Sequence, residues 1–306
     1  MSEKKNLFIV NPVAAAGKTG NLWPAIEEEL RSLGLSFDHI FTEAPNHATS
    51  LAREGVEKGY EMVVAVGGDG TANEVVNGLM SPGSEKADAL LGIVITGRGS
   101  DLARTIGVPA DYGEACARLA GERTMTVDLG LVEFHEEGER RERYFVNIGG
   151  GGFDGEVAQR ANRAPNFMGG TIPYLSSLVT TLISYRNKHV ELILDDQEPI
   201  EMVANSVIVA NCQFFGGGMR IAPEADPNDG LFDVIVIGDV DKIEFLMTVP
   251  KVYDGTHLSH PQLYAYRAKR VEVRSKEPLL LQVEGEVCGE TPLIFNIIPS
   301  ALQIRV

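Results

Sequence analysis

The pattern of apolar and polar positions changes character partway along the chain. In the first 128 residues, short continuous apolar runs alternate with helical periodicities. Leu7 to Val10 has the length of a buried strand. Leu22, Ile26, Leu30 and Leu33 then recur every three or four residues and stop at Gly34. A second strand is predicted near Ser36 to Thr42, and a helix after Asn46, with that residue as its N-cap. Met62 to Val66 and Leu90 to Ile95 are two further buried strands, each leading straight into a glycine-rich loop. Strands that alternate with helices predict a mostly parallel sheet covered on both faces.

From Thr124 onward strand-like runs dominate. They are Thr126 to Phe134, Tyr144 to Ile148, Val190 to Leu194, Ser206 to Ala210, Phe232 to Ile237, Leu263 to Val273 and Leu279 to Val283. The charged run Glu136 to Arg143 is predicted to be a solvated hairpin turn. Helical insertions are predicted around Asp154 to Arg186 and Lys242 to Val252. The second half is therefore expected to be an antiparallel domain.

Composition narrows the function. A formal net charge of -16 disfavours nucleic acid as a partner, because phosphate contacts need a basic face. It also weakens general adhesion to anionic membranes, so any membrane contact has to be local. The N-terminus offers only Leu7 to Val10 as an apolar run, too short for a signal peptide. No stretch approaches the roughly 20 apolar residues of a membrane span, so the expected location is cytoplasmic. Cys116, Cys212 and Cys288 are far apart and read as buried small apolar residues; His257 and His260 lack the partners of a zinc site.

Chemistry is concentrated in the glycine clusters. Gly17-Lys18-Thr19 lies between a strand and a helix, but Pro12 stands where a Walker A loop needs glycine. A phosphate-facing loop at a helix N-terminus remains the expectation there. Gly150 to Gly155 matches GxGxxG, yet no acidic residue occurs between Glu156 and Glu191 to hold a ribose. Gly67-Gly68-Asp69-Gly70-Thr71 is the stronger signal. Its glycines free backbone N–H groups for phosphate oxygens, and a carboxylate among phosphates implies a bridging cation such as Mg.

That loop, with Asn73-Glu74 after it, resembles the signature of the diacylglycerol and sphingosine kinase catalytic family. NAD kinases and, more loosely, phosphofructokinases share it. Asn11-Pro12, Gly97 to Asp101, Asp128, Asn147 to Asp154, Asn211 to Gly218, Pro223 to Asp233 and Glu284-Gly285-Glu286 resemble the lipid-kinase pattern in order, over nearly the whole chain.

The resemblance implies a phosphofructokinase- or NAD-kinase-like α/β domain, residues 1–127 with returning strands 293–306. It implies an antiparallel β-sandwich for the lipid substrate over 128–292. The nucleotide would lie between the domains, on Asn11, Pro12, Val13, Ala14, Ala15, Thr42, Gly68, Asp69, Gly70, Thr71, Ala72, Asn73 and Glu74. Asp69, Asp101 and Asp128 would form an acidic cluster for a catalytic Mg, and Asp226, Asp229 and the Leu231 carbonyl a structural Mg loop. ATP would be the phosphate donor. Glu286 matches the family's proton acceptor. Glu284 replaces its usual Asp, and as two positions apart in a strand the pair should leave one face. Arg98 stands where the family has Thr, either as a fork on phosphate oxygens or as a solvated loop residue.

Diacylglycerol, a sphingoid base, ceramide and polyprenol all remain open as the lipid, with an NAD kinase or a non-catalytic nucleotide- or lipid-binding regulator as rivals. A homodimer is compatible with this organisation. Arg160, Arg163, Arg186 and Lys188 flank Phe167, Met168, Ile172, Tyr174, Leu175, Leu178, Val179, Leu182 and Ile183. That segment reads either as a core-packing helix or as a lip that dips into a membrane interface.

Overall fold

A computed structural model describes residues 5–81, 83–97, 101–163 and 171–306, without the side chains of 171–176. The chain divides into two compact units, Met1–Asp128 with Pro299–Val306, and Leu129–Ile298.

The first unit is built on parallel strands. β1 (Asn6–Val10) pairs with β2 (Asp38–Phe41) on one side and with β3 (Met62–Gly67) on the other, and β3 pairs with β4 (Leu90–Ile95). The end of the long strand β15 (Glu286–Arg305) adds beside β4, through Ile304 opposite Leu91. Every residue of β1 and β3 is buried, which explains why both read as unbroken apolar runs. Helices α1 (Lys18–Ser32), α2 (His47–Glu57), α3 (Asp69–Leu79), α4 (Asp101–Ile106) and α5 (Tyr112–Ala120) complete it. Phe8, Val64 and Val94 from the strands pack with Trp23, Ile26 and Leu30 of α1 and Leu119 of α5. Each such side chain, fully buried, stabilises the fold by roughly 1.5–3 kcal/mol.

The second unit is antiparallel throughout. β7 (Ile148–Gly152) lies between β10 (Ser206–Ala210) and β14 (Leu280–Val283), and β11 (Phe232–Ile237) and β12 (Leu263–Ala268) extend the row beyond β10. β13 (Arg270–Ser275) pairs with both β15 and β8 (Lys188–Leu194), and β9 (Ile200–Ala204) pairs with β8. One large core fills this sandwich, from Val207, Val209, Val234 and Val236 to Leu192, Val271, Val273 and Phe295. The alternate residues Ile208, Ala210 and Ile235 are buried on the opposite face with Ile221 and Ala222. Helices α6 (Phe153–Arg163), α7 (Thr171–Ser184) and α8 (Lys242–Asp254) interrupt the strands.

Three sequence expectations are corrected. The charged run is not a long turn: β5 (Thr124–Glu136) and β6 (Glu139–Phe145) pair along it, and only Glu137 and Gly138, both at positive φ, make the turn. Its charges line exposed strands as cross-strand pairs such as Glu133 with Arg140. Leu263 to Val273 is two strands rather than one. Asn46 does not cap α2 with its side chain; it sits at φ 63, and Glu74 of α3 caps the helix by accepting from the Asn46 and Ala48 N–H groups, each at 3.0 Å.

Candidate active site

The order β2-β1-β3-β4 places a switch point between β1 and β3, and in open parallel sheets ligands bind beyond the carboxyl ends of strands at such a point. Asn11 follows β1, Gly68 and Asp69 follow β3, Thr96 and Gly97 follow β4, and Thr42 follows β2. Side chains tie these loops together. Asn11 Nδ2 donates to Thr71 Oγ1 at 3.0 Å, and the Thr19 and Thr96 hydroxyls are 2.6 Å apart and buried. The Asn11 Oδ1 atom is buried without a partner among the described residues.

The two glycine loops of this edge differ in what they leave available. Around Gly17 the loop closes on itself: Lys18, Thr19 and Gly20 N–H groups donate to the carbonyls of Ala15, Ala14 and Pro12. Ala15, Ala16 and Gly17 hold φ 52, 56 and 84 to make this closure. The first turn of α1 therefore has its donors spent, which corrects the expectation of a phosphate-facing helix N-terminus there. α3 begins instead at Asp69 after Gly68, an extended N-cap that supplies no side-chain cap. A Cβ on Gly68 would meet open space, whereas one on Gly67 would press to 2.6 Å from Thr71 Oγ1. Gly67 thus serves packing, and the start of α3 is the end suited to an anion.

Asp69 and Asp101 are brought together, since Asp69 Oδ2 accepts from the Asp101 N–H at 3.0 Å. Asp128 is buried and its carboxylate accepts from the Ser300 N–H at 2.6 Å. Among the described residues no three His, Cys, Asp or Glu side chains converge as a metal cage, so the expected trio is not one preformed cluster. Mg tolerates this, because it binds through one or two carboxylates plus phosphate oxygens. The Asp69 and Asp101 carboxylates and the Asn11 amide oxygen are donors of the kind Mg takes, with the Arg104 guanidinium 4.0 Å from Asp101 Oδ1. Glu74 is spent on capping α2, so it is a positioning residue rather than a nucleotide contact. Asn73 is buried, with its carbonyl and Oδ1 accepting from Asn77. Thr42 donates its N–H to Val10. Val13 is 75% exposed. Arg98 lies outside the described residues.

The expected structural Mg loop is arranged differently. Asp229 Oδ1 accepts from the Leu231 N–H at 3.0 Å, and its other oxygen pairs with Arg267. Asp226 accepts from the Asn228 N–H at 3.1 Å. A guanidinium already supplies the positive charge, so these residues as placed do not fit a bound cation.

In the second unit Glu284 and Glu286 part company. Glu284 and Gly285, at φ 53 and 84, are the two-residue turn between β14 and β15, so the pair does not share a strand face. Glu284 Oε1 accepts from the Val146 and Asn147 N–H groups at 3.0 and 2.7 Å. Glu286 begins β15 and pairs with Arg143 at 2.6 Å. Glu284→Ala should leave two backbone donors without this acceptor and lower stability by about 1–3 kcal/mol. Denaturant unfolding checks this, and Glu284→Asp should be milder because Asp suits the first turn position.

The segment Gly150 to Gly155 builds a wall rather than a dinucleotide loop. A Cβ on Gly155 would lie 2.2 Å from the Leu280 carbonyl oxygen, and one on Gly150 would lie 2.4 Å from Asp154 Oδ2. These glycines let α6 close on β14 and seat Asp154, to which the sequence assigned no role beyond ending the Asn147 to Asp154 segment. Asp154 accepts from Ser206 Oγ at 3.0 Å and Gln282 Nε2 at 3.1 Å, and Gln282 Oε1 in turn accepts from the Gly285 N–H. With Ser206 it lines a cavity of about 50 Å³ whose other walls are apolar, among them Phe153, Val157, Leu178, Phe215, Met219 and Phe245.

Burial pushes the Asp154 carboxyl up to about 6. A folded pKa raised above the usual 3.8 means the native state holds the proton more tightly than the unfolded chain. Its contribution is therefore full below about pH 4 and falls by about 3 kcal/mol as pH rises through 6 toward 7. Asp154→Asn should flatten that part of the stability profile, measured by denaturant unfolding between pH 4 and 7.

Residues 5–132 match the diacylglycerol kinase catalytic domain, and residues 148–306 match the YegS C-terminal NAD kinase beta sandwich-like domain. The chain belongs to the diacylglycerol kinase catalytic family. It is a lipid kinase. A diacylglycerol kinase from Mycobacterium tuberculosis is 27% identical over 297 residues, covering 97% of this chain and 93% of the relative. Among solved structures, a candidate diacylglycerol kinase from Bacillus anthracis superposes with a TM-score of 0.81 at 24% identity, covering 100% of this chain and 96% of that one. An NAD kinase from Archaeoglobus fulgidus in complex with ATP superposes at 0.53 and 14% identity, covering 99% and 93%. These likenesses show the fold: an α/β unit and a β-sandwich of NAD-kinase type. The family's first domain is the one that carries Asn11, Asp69 and Asp101. Its second holds Asp154 and Glu286.

Proposed function

We propose that this lipid kinase transfers the γ-phosphate of ATP to the hydroxyl of diacylglycerol, forming phosphatidic acid. The observation that favours a lipid over the soluble ribose of an NAD kinase is the apolar cavity of the second unit. Its walls give one buried carboxylate, Asp154, and one hydroxyl, Ser206, among apolar side chains, a lining suited to a hydrocarbon chain with a single polar end. At about 50 Å³ it admits one or two methylene groups as it stands, so a longer chain must shift the walls contributed by α6 to α8.

In this reading the triphosphate lies at the start of α3, where backbone N–H groups and the helix dipole favour negative charge. When bound, Mg would neutralise phosphate charge, with Asp69 and Asp101 as its carboxylates. Glu286 takes the proton of the attacking hydroxyl, and the Arg143 guanidinium holds that carboxylate in place. The assignments of Asn11, Asp69, Asp101 and Glu286 belong to this proposal, as does the division into a nucleotide domain and a lipid domain. Among the described residues no helix is long and apolar enough to cross a membrane, so the lipid is expected to be met at a membrane surface, from the cytoplasmic side.

Labelled ATP offered with diacylglycerol, a sphingoid base, ceramide and polyprenol in mixed micelles tests this directly. The expected product is labelled phosphatidic acid. Label in another lipid would replace the substrate, and conversion of added NAD to NADP would overturn the lipid reading.

A further inference from the structure

Helix α8 carries two apolar stripes. Phe245, Val249 and Val252 line the cavity. On another side, Ile243, Leu246 and Met247, followed by Pro250, recur at steps of three and four and face outward, the first three at 68, 42 and 63% exposure. Tyr253, also exposed, lies at the end of the same helix. The last turns of α7 add Val179 and Ile183, at 38 and 72% exposure, four residues apart. Lys242 Nζ donates to the Ile183 carbonyl at 2.6 Å, which joins the end of α7 to the start of α8. Six of the ten large exposed apolar side chains among the described residues fall on these two helices. Scattered singles need no explanation; a helical stripe that continues onto a neighbouring helix does.

We propose that the outer face of α8, with Val179 and Ile183, is the surface by which the protein inserts into a neutral lipid interface. The inference rests on the lipid-kinase reading for its purpose. A second copy or a protein partner is the poorer fit, since a stable interface takes roughly 20–30 residues a side, anchored by aromatic and Arg side chains. Six side chains, five of them aliphatic, fall far short of that. An amphipathic helix lying in a lipid interface needs only one apolar stripe buried by about 5–10 Å. The charges around this face choose the kind of lipid. On α8 Asp241, Glu244 and Asp254 outnumber Lys242 and Lys251, while at the end of α7 Arg160 donates to Ser184 at 2.8 Å and Arg186 follows, so acid and base nearly cancel across the face and apolar insertion has to supply the affinity. The opposite stripe of the same helix walls the cavity, so docking by this face brings the apolar lining within one helix diameter of the lipid.

Sedimentation of the full chain with phosphatidylcholine vesicles, without nucleotide, tests the surface. Wild type should pellet with them, and equally at low and high salt. Ile243→Ser with Met247→Ser should weaken pelleting about tenfold or more. The double variant should melt like wild type and phosphorylate a monomeric short-chain diacylglycerol at the wild-type rate. Undiminished pelleting of the variant, or a wild type that ignores neutral vesicles, overturns the proposal. So does binding that requires anionic lipid and vanishes in salt. A wild-type dimer that the double substitution converts to monomer would assign the face to a second copy instead. Vesicle binding is read without ATP, so loss of the kinase reading and loss of this surface show up separately.

Discussion

Asp69→Ala is expected to reduce turnover by about 10³-fold or more while the fold persists. Asp69 opens α3 immediately after the buried strand β3, at the switch point of the parallel sheet. Its carboxylate is the acidic group at the helix end suited to phosphate, and it also accepts the Asp101 N–H at 3.0 Å. Alanine removes both the charge and that tie. Asp69→Asn separates the two effects, because the amide oxygen can still accept from Asp101 but carries no charge. Both variants should be equally inactive if charge is what matters. A near-normal Asp69→Asn would mean that Asp69 only positions α4. Thermal melts run beside the ATP assay show whether lost activity reflects lost structure.

Glu286→Gln is expected to bind ATP and lipid normally and to lose turnover by about 10²–10⁴-fold. Its amide oxygen can still accept from Arg143, so the start of β15 should hold its place. A general base must be ionised, so the substitution should also erase the acid limb of the pH–rate profile. Glu284, whose carboxylate is committed to the Val146 and Asn147 N–H groups, is expected to act through structure. If Glu284→Gln is inactive while Glu286→Gln turns over normally, the two roles are reversed.

Much of the first unit was legible because its signals are local. β1 and β3 are buried on both faces, so they are continuous apolar runs; α1 buries one stripe, so Ile26 and Leu30 recur at helical spacing. Helices α4 and α5, and in the second unit strand β9, escaped because they are short, six, nine and five residues. The charged strand β6 reads as a turn in the sequence because its exposed residues pair by charge and by backbone hydrogen bonds rather than by burial. Both glycine loops lie between a strand and a helix, so both read as phosphate-facing although Gly67 to Thr71 is the stronger signal. Only the hydrogen bonds show that the loop before α1 has spent its donors on Pro12, Ala14 and Ala15.

By itself the sequence determined the alternation of elements, the antiparallel second half, and the family, through Gly67 to Thr71 and the motifs that follow it in order. Those depend on residue type at fixed spacing. The tertiary structure alone decided which carboxylates are already spoken for. Glu74 caps α2 across 26 residues, Glu284 holds backbone donors 137 and 138 residues away, and Asp229 meets Arg267. It also decided that Asp154 is buried beside Gln282, 128 residues distant, and that one stripe of α8 faces solvent. A side chain's protonation, partners and exposure depend on what the fold packs around it, and spacing along the chain carries no record of that.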